Sequence, residues 1–308
     1  MDVQPRDRWA LRFLQAIPEL ATVIGGEEGF RRALDLRRDQ QMRWRNKIVH
    51  LECYGEVADA ATVVFHHGFG AYSALYAPFL AALASRGTSV VAIDRPGHGL
   101  SEGRRGDCTV EELADVTRLA VQSAVPATSD PVVLFGSSSG GMLTSCLIPY
   151  LEDLVDGYIC HGVHNPAYVR PLIGRPLARA ADLLPAVRFP YRLIPRRIRN
   201  GISTIPAVRD WFRPGSDDLA TFDQTLRSVL SMTLGYRPPH SPSDVDRPVL
   251  AVTGEGDQML PVRQVREAVE RLDLRHVEVQ LISGQHMLLH ERPIAVLEAV
   301  TDWIGRLP

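Results

Sequence analysis

Four short runs of consecutive apolar residues punctuate the chain: "TVVF" at 62–65, "SVVAI" at 89–93, "VVLF" at 132–135 and "VLAV" at 249–252. Each runs into a loop bearing glycine or aspartate, and a segment with apolar residues at three- and four-residue spacing follows. Strands that are apolar at every position are covered on both faces, and strands alternating with helices pair in parallel. The pattern therefore predicts strands over 62–68, 89–94, 132–135 and 155–162. The helices between them span 75–87, 109–124 and 141–151. Thr109, with Glu112 three residues on, has the form of a capping box, and Gly87 ends the first of these helices. "KIVHLECY" at 47–54 predicts one more strand. Upstream, residues 8–40 predict a helical region in two pieces, broken at "IPEL" and "IGGEEG". The rhythm stops between 162 and 243, where the chain is rich in proline and arginine. It resumes with strands at 247–257 and 276–283 and helices at 260–272 and 293–307. This divides the chain into an N-terminal helical extension (1–41), an α/β core (42–161 and 244–308) and an inserted helical cap (162–243).

Composition narrows the function classes. At 308 residues with 45% hydrophobic residues there is ample material for one large core. The net charge of −2 gives no sign of nucleic-acid binding. Charge is unevenly spread, however: between Pro166 and Arg213 there are ten arginines against Asp182 and Asp210. Cys53, Cys108, Cys146 and Cys160 form no C-x-x-C pair or zinc spacing and read as core fillers. The N-terminal residues lack the apolar stretch of a signal peptide, and no run approaches 18 apolar residues. A cytoplasmic, reduced protein is the expectation.

Candidate chemistry lies at the strand ends. In open parallel sheets ligands bind where the carboxyl ends of the strands converge. Ser138 is central in Gly136-Ser137-Ser138-Ser139-Gly140 after one strand, Asp257 follows "VLAVTGEG", and His286 follows "VQLISGQ". A serine hydroxyl needs an imidazole to take its proton, and the imidazole needs a carboxylate to hold its tautomer. Serine, acid and histidine come in the chain order of the nucleophile-elbow hydrolases. Rivals exist: Glu255 and Asp94 for the acid, and His290 for the base. Asp94 suits a structural role, tying the "RPGHG" loop through backbone amides, as His67 and His98 do in their glycine-flanked loops. His66, His67 and Asp94 could be drawn as metal ligands, but serine chemistry requires neither metal nor cofactor.

The segments "GSSSGG", "HHGFG", "DRPGHGLSEG", "GEGDQMLP" and "GQHMLLHERP" together resemble the α/β-hydrolase fold. "DRPGHGLSEG" is most similar to the monoacylglycerol lipase/lysophospholipase-like and serine aminopeptidase group. The resemblance covers 42–161 and 244–308. It implies Ser138 as nucleophile, Asp257 as acid, His286 as base, and the amides of Phe69 and Ser139 as oxyanion donors. One departure is Ser139 itself, where the group often carries a bulkier residue such as Met. The implied activity is hydrolysis of a carboxylic ester, acyl or monoacylglycerol-like, through an acyl-enzyme. The alternatives are a thioester, lactone, amide or carbon–carbon bond, or a non-hydrolytic ligand-binding or biosynthetic homologue.

The cap is expected to cover the site. Its apolar residues Leu183, Leu184, Phe189, Leu193, Trp211, Phe212, Leu226, Leu230 and Met232 either wall an acyl pocket or form the cap's own core. Its arginines form a solvated face, attract an anionic substrate, or touch an anionic membrane surface. The expected partner is a small acyl ester, with no nucleic acid, and the sequence gives no oligomeric state.

Overall fold

The computed structural model describes residues 4–55, 60–163, 187–189, 202–233 and 235–308. Eight strands form one sheet: β1 (Arg38–Trp44), β2 (Lys47–Tyr54), β3 (Thr62–His66), β4 (Ser89–Ile93), β5 (Val132–Ser137), β6 (Gly157–His161), β9 (Val249–Gly254) and β10 (Val277–Ile282). A separate two-stranded ribbon pairs β7 (Arg188–Phe189) with β8 (Gln224–Thr225). The large sheet runs in the order β1-β2-β4-β3-β5-β6-β9-β10. Strand β2 is antiparallel to both of its neighbours, and every other pair is parallel. All the strand carboxyl ends from β3 to β10 therefore meet at one edge.

Period-two alternation within the buried strands sorts their side chains into two layers. Val63 and Phe65 of β3, Val133 and Phe135 of β5, and Leu250 and Val252 of β9 face one side. There they pack with α4 (Ala77–Ala84), the last helix α10 (Pro293–Ile304) and three N-terminal helices, α1 (Arg8–Ala16), α2 (Pro18–Ile24) and α3 (Gly26–Leu36). Val64, Leu134 and Ala251 face the other side, against α5 (Val110–Ala124), α6 (Ser139–Leu151) and α9 (Val262–Leu272). The capping box of α5 is present in full: the Glu112 N–H donates to Thr109 Oγ1 at 3.3 Å, and the Thr109 N–H donates to the Glu112 carboxylate at 3.0 Å. All four cysteines are buried and unpaired with one another.

The N-terminal region departs from the periodicity reading. Helix α3 ends at Leu36, and Arg38–Trp44 is an edge strand paired with β2, so the boundary at 41/42 falls inside β1. The segment "RDQQMRW" buries only Met42 and Trp44, and its pairing with the buried β2 decides its conformation where local pattern does not. A buried ionic cluster ties this edge to the chain start. Arg37 donates twice to Asp7, at 2.6 and 2.9 Å, and Arg6 donates twice to Asp39, at 2.8 and 2.6 Å. Beneath them Glu52 lies 3.7 Å from Arg6 and 3.5 Å from Arg37 and accepts the Tyr54 hydroxyl at 2.7 Å. Burial, reinforced by Asp94 and opposed by Arg37, pushes Glu52 up to about 7.

In the insertion, α7 (Pro206–Trp211) and α8 (Leu226–Ser231) are described. Leu183, Leu184 and Leu193, and seven of the ten arginines, lie outside the described residues. Of the three arginines inside, Arg209 and Arg213 are exposed, and Arg213 pairs with Asp210 at 2.9 Å. Among the described residues no helix is long and apolar enough to cross a membrane.

Candidate active site

Strand β5 ends at Ser137 and helix α6 starts at Ser139, leaving Ser138 alone in the turn with φ 55° and ψ −118°. Such a conformation costs a non-glycine residue on the order of 1–3 kcal/mol and persists only where the surroundings hold it. Here they do, because the flanking glycines let three backbones cross closely. A methyl at Gly136 would lie 2.1 Å from the Gly140 carbonyl oxygen, and one at Gly140 would lie 2.2 Å from that of His66. The turn thus lifts the Ser138 side chain above the sheet edge.

Two other loops bring their side chains to it. Asp257 stands three residues past β9 and His286 four past β10. The Ser138 hydroxyl donates to His286 Nε2 at 2.8 Å, and His286 Nδ1–H donates to Asp257 Oδ2 at 2.8 Å. The second carboxylate oxygen of Asp257 accepts the backbone N–H groups of Met259 at 2.7 Å and Leu260 at 2.9 Å. Burial alone would raise the Asp257 carboxyl. The hydrogen bond to His286, its charge and the Leu260 N–H outweigh this and hold it below the usual carboxylate range. With one hydroxyl, one accepting imidazole nitrogen and one ionised carboxylate in line, the arrangement can move a proton from Ser138 to His286.

The strand-end loop of β3 passes against the same serine. A methyl at Gly68 would lie 3.4 Å from Ser138 Cβ, so the backbone carrying Phe69 is adjacent to the hydroxyl. Ser139 is the first residue of α6, whose N–H therefore has no acceptor within the helix. The two amides expected as oxyanion donors consequently belong to backbone segments that converge beside Ser138. The rival residues lie elsewhere. Asp94 accepts the Ser73 and Leu100 N–H groups at 2.7 and 2.9 Å, Glu255 is exposed, and His290 Nε2–H donates to the Leu75 carbonyl at 3.2 Å. Of the imagined metal set, His66 is bonded to Thr117 at 2.9 Å and His67 faces Gly68 and Arg95.

Comparison with known proteins places this geometry. The profile of the family described as serine aminopeptidase, S33 matches residues 58–293. The chain belongs to that family. It is also similar to a monoacylglycerol lipase of Mycolicibacterium smegmatis, 22% identical over 259 residues, which cover 79% of this chain and 87% of the relative. Among solved structures, the monoacylglycerol lipase of Paleococcus ferrophilus superposes with a TM-score of 0.65 at 20% identity, covering 84% of this chain and 99% of the other. A soluble variant of the Saccharomyces cerevisiae monoglyceride lipase, solved with a substrate analog, gives 0.67 at 19% identity, covering 88% and 96%. The fold is the α/β-hydrolase fold, and the protein is a hydrolase of this group.

The serine opens into a cavity of about 310 Å³. Most of its wall is apolar: Leu75, Met142, Leu143 and Met259 from the core, with Trp211, Phe212 and Met232 from the insertion. Trp211 also stacks edge-on against Phe212 and Phe222, so it serves the core of the insertion and the cavity wall together.

Two site neighbours escaped the motif reading. His161, at the end of β6, is joined to Ser137 through Nδ1 at 3.1 Å, and its ring lies 5.6 Å from that of His286. Burial, aided by the His286 charge, pushes it down to about 3, so it is neutral. Arg95 stands two residues past β4 and lines the cavity. Both stand at strand carboxyl ends, the one signal that could have marked them.

Proposed function

We propose that the protein hydrolyses a carboxylic ester with a medium-length apolar acyl group, monoacylglycerol-like in size, through an acyl-enzyme on Ser138. The observation that carries the reading is the continuous hydrogen-bond chain from Ser138 through His286 to Asp257, with 2.8 Å at each link, opening into an apolar cavity. As His286 Nε2 takes the hydroxyl proton, Ser138 Oγ attacks the ester carbonyl. Asp257 stabilises the imidazolium, and the Phe69 and Ser139 amides receive the charge that develops on the carbonyl oxygen. One such donor is worth on the order of 10²–10³ in turnover. Collapse of the tetrahedral intermediate breaks the carbon–oxygen bond, and the alcohol leaves with the proton held by His286. Water then gives a proton to His286 and attacks the acyl-enzyme, and the carboxylic acid and the free serine are regenerated. The apolar wall that encloses most of the cavity suits an acyl chain.

Pre-steady-state hydrolysis of a p-nitrophenyl ester series from two to twelve carbons tests this. The expected result is a burst of p-nitrophenol equivalent to the enzyme concentration, highest kcat/KM at intermediate length, and no burst in Ser138→Ala. Flat, marginal activity across the series, with thioesters hydrolysed faster, would overturn the oxygen-ester assignment.

A further inference from the structure

Among the described lining residues the cavity beside Ser138 contains no aspartate or glutamate, and its one formally charged wall residue is Arg95. Arg95 is 7% exposed and makes no ion pair with any described residue at 4.0 Å or less. The groups its guanidinium touches are neutral, and the Asp94 carboxylate acts on it only from beyond ion-pair distance. His67 Nε2 accepts the Arg95 N–H at 3.3 Å, so the His67 proton sits on Nδ1 and goes to the Gly68 carbonyl at 3.0 Å. Burial and the neighbouring guanidinium hold His67 far below the ordinary histidine range, which keeps it uncharged. The guanidinium itself donates from Nη2 to the Gly68 carbonyl at 2.8 Å and from Nε to His67 Nε2 at 3.4 Å. Its Nη2 also lies 3.0 Å from His67 Nδ1, so of its five N–H groups only two (5 − 3), both on Nη1, have no polar neighbour among the described residues. Burial lowers Arg95 to about 10, so it stays cationic at neutral pH.

A buried cation without a counter-charge is costly, and buried charges are ordinarily paired. Bracing the Gly68 carbonyl uses one N–H and could be done by a neutral donor. The unused N–H groups on Nη1, on a residue that lines the cavity, suit an anionic oxygen acceptor, which a substrate carboxylate supplies through a charge-assisted hydrogen bond.

We propose that Arg95 is a substrate-recognition residue whose guanidinium pairs with a carboxylate carried by the substrate, so that the preferred substrate is an anionic ester. This rests on the ester-hydrolase reading above. The carboxylate belongs to either the acyl or the alcohol part, one residue's width from the reacting carbonyl, because the Gly68 that Arg95 holds is the residue packed against Ser138. Its pairing is distinct from any attraction exerted by exposed arginines of the insertion, since screening weakens surface charges and spares enclosed pairs.

The test compares three probes: p-nitrophenyl hexanoate (neutral), mono-p-nitrophenyl adipate (acyl-side carboxylate) and the hexanoyl ester of 4-hydroxybenzoate (alcohol-side carboxylate). The wild type is expected to favour one anionic probe over the neutral one at least tenfold in kcat/KM, largely through KM, and to keep that ratio at high salt. In Arg95→Gln the ratio falls at least tenfold, and in Arg95→Lys it is partly kept. A wild-type ratio at or below one, a ratio abolished by salt, or an unchanged ratio in Arg95→Gln would overturn the proposal. Hydrolysis of the neutral probe without an anionic preference sinks this inference alone, whereas no hydrolysis of any probe sinks the ester reading first. A measurement free of turnover then decides: thermal-shift titration of Ser138→Ala with monomethyl adipate and with methyl hexanoate. A larger shift with the anion supports the pairing, and equal shifts overturn it.

Discussion

Replacing Asp257 by asparagine should disable the proton relay while leaving its shape intact, and the structure says why. One carboxylate oxygen is fixed by two donors, the N–H groups of Met259 and Leu260 at 2.7 and 2.9 Å, so an asparagine must place its carbonyl oxygen there. Its NH₂ then faces His286 Nδ1, now 2.8 Å from a donor instead of an acceptor. The imidazole answers by carrying its proton on Nε2, where it meets Ser138 and can no longer accept. Reversing the amide would leave two buried N–H groups facing an NH₂, at about 1–3 kcal/mol each, or about 2–6 kcal/mol in total. At about 1.4 kcal/mol per factor of ten, that confines the active arrangement to less than about one molecule in thirty. The expected loss in kcat/KM is therefore at least about thirtyfold, reaching on the order of 10⁴ where the wrong tautomer is fully locked. The assay is p-nitrophenyl ester hydrolysis by Asp257→Asn and Asp257→Ala, with thermal unfolding as the check on folding. Asp257→Asn should be no more active than Asp257→Ala, in which the imidazole is free to choose its tautomer. A folded Asp257→Asn enzyme within tenfold of wild type would refute the reasoning.

Further predictions follow from burial and backbone geometry. Glu52 titrates at about 7 in the folded protein against 4.5 in an exposed chain, so the native state holds the extra proton in between, and stability falls as pH rises through that window by up to about 3 kcal/mol. His50, raised by Asp94 against the effect of burial, shifts stability in the same sense. Melting curves at pH 5 and pH 8 should show a smaller drop for Glu52→Gln than for wild type, and identical drops would contradict the assignment. Gly140→Ala places a methyl 2.2 Å from the His66 carbonyl oxygen and should destabilise by about 1–3 kcal/mol or more in urea titration, with activity lost as the turn shifts. Thr109→Ala removes half of the capping box and should cost about 0.5–2 kcal/mol while leaving ester hydrolysis unchanged, since it stands at the start of α5 outside the serine–histidine–aspartate chain.

Much of the architecture was legible because β3, β4, β5 and β9 are buried on both faces and so carry runs of apolar residues, while the edge strand β10 shows the alternation of Val277, Glu278, Val279 and Gln280. Ser138, Asp257 and His286 were legible because each follows a strand whose carboxyl end lies at the edge where the loops converge. Strand β1 was not, because an edge strand with Arg38, Asp39, Gln41 and Arg43 exposed alternates only over its last four residues and is fixed by its partner. Arg95 was hidden for another reason. It sits inside a glycine-rich loop motif that draws attention to Gly97 and Gly99, and only coordinates reveal that its charge faces a cavity with no acid in it. His161 was hidden because it is the last residue of β6 and belongs to no motif, and only coordinates bring its ring to 5.6 Å from that of His286. The arginine excess of the insertion falls mostly outside the described residues, and its three readings stand as they were.

The central claim is that Ser138, among three consecutive serines, is the nucleophile. Labelling with a fluorophosphonate followed by peptide mapping of the adduct addresses it directly, with wild type and Ser138→Ala in parallel. The account predicts one adduct per chain, on Ser138, and none in the variant. An adduct on Ser137 or Ser139, or labelling that persists in Ser138→Ala, would contradict it.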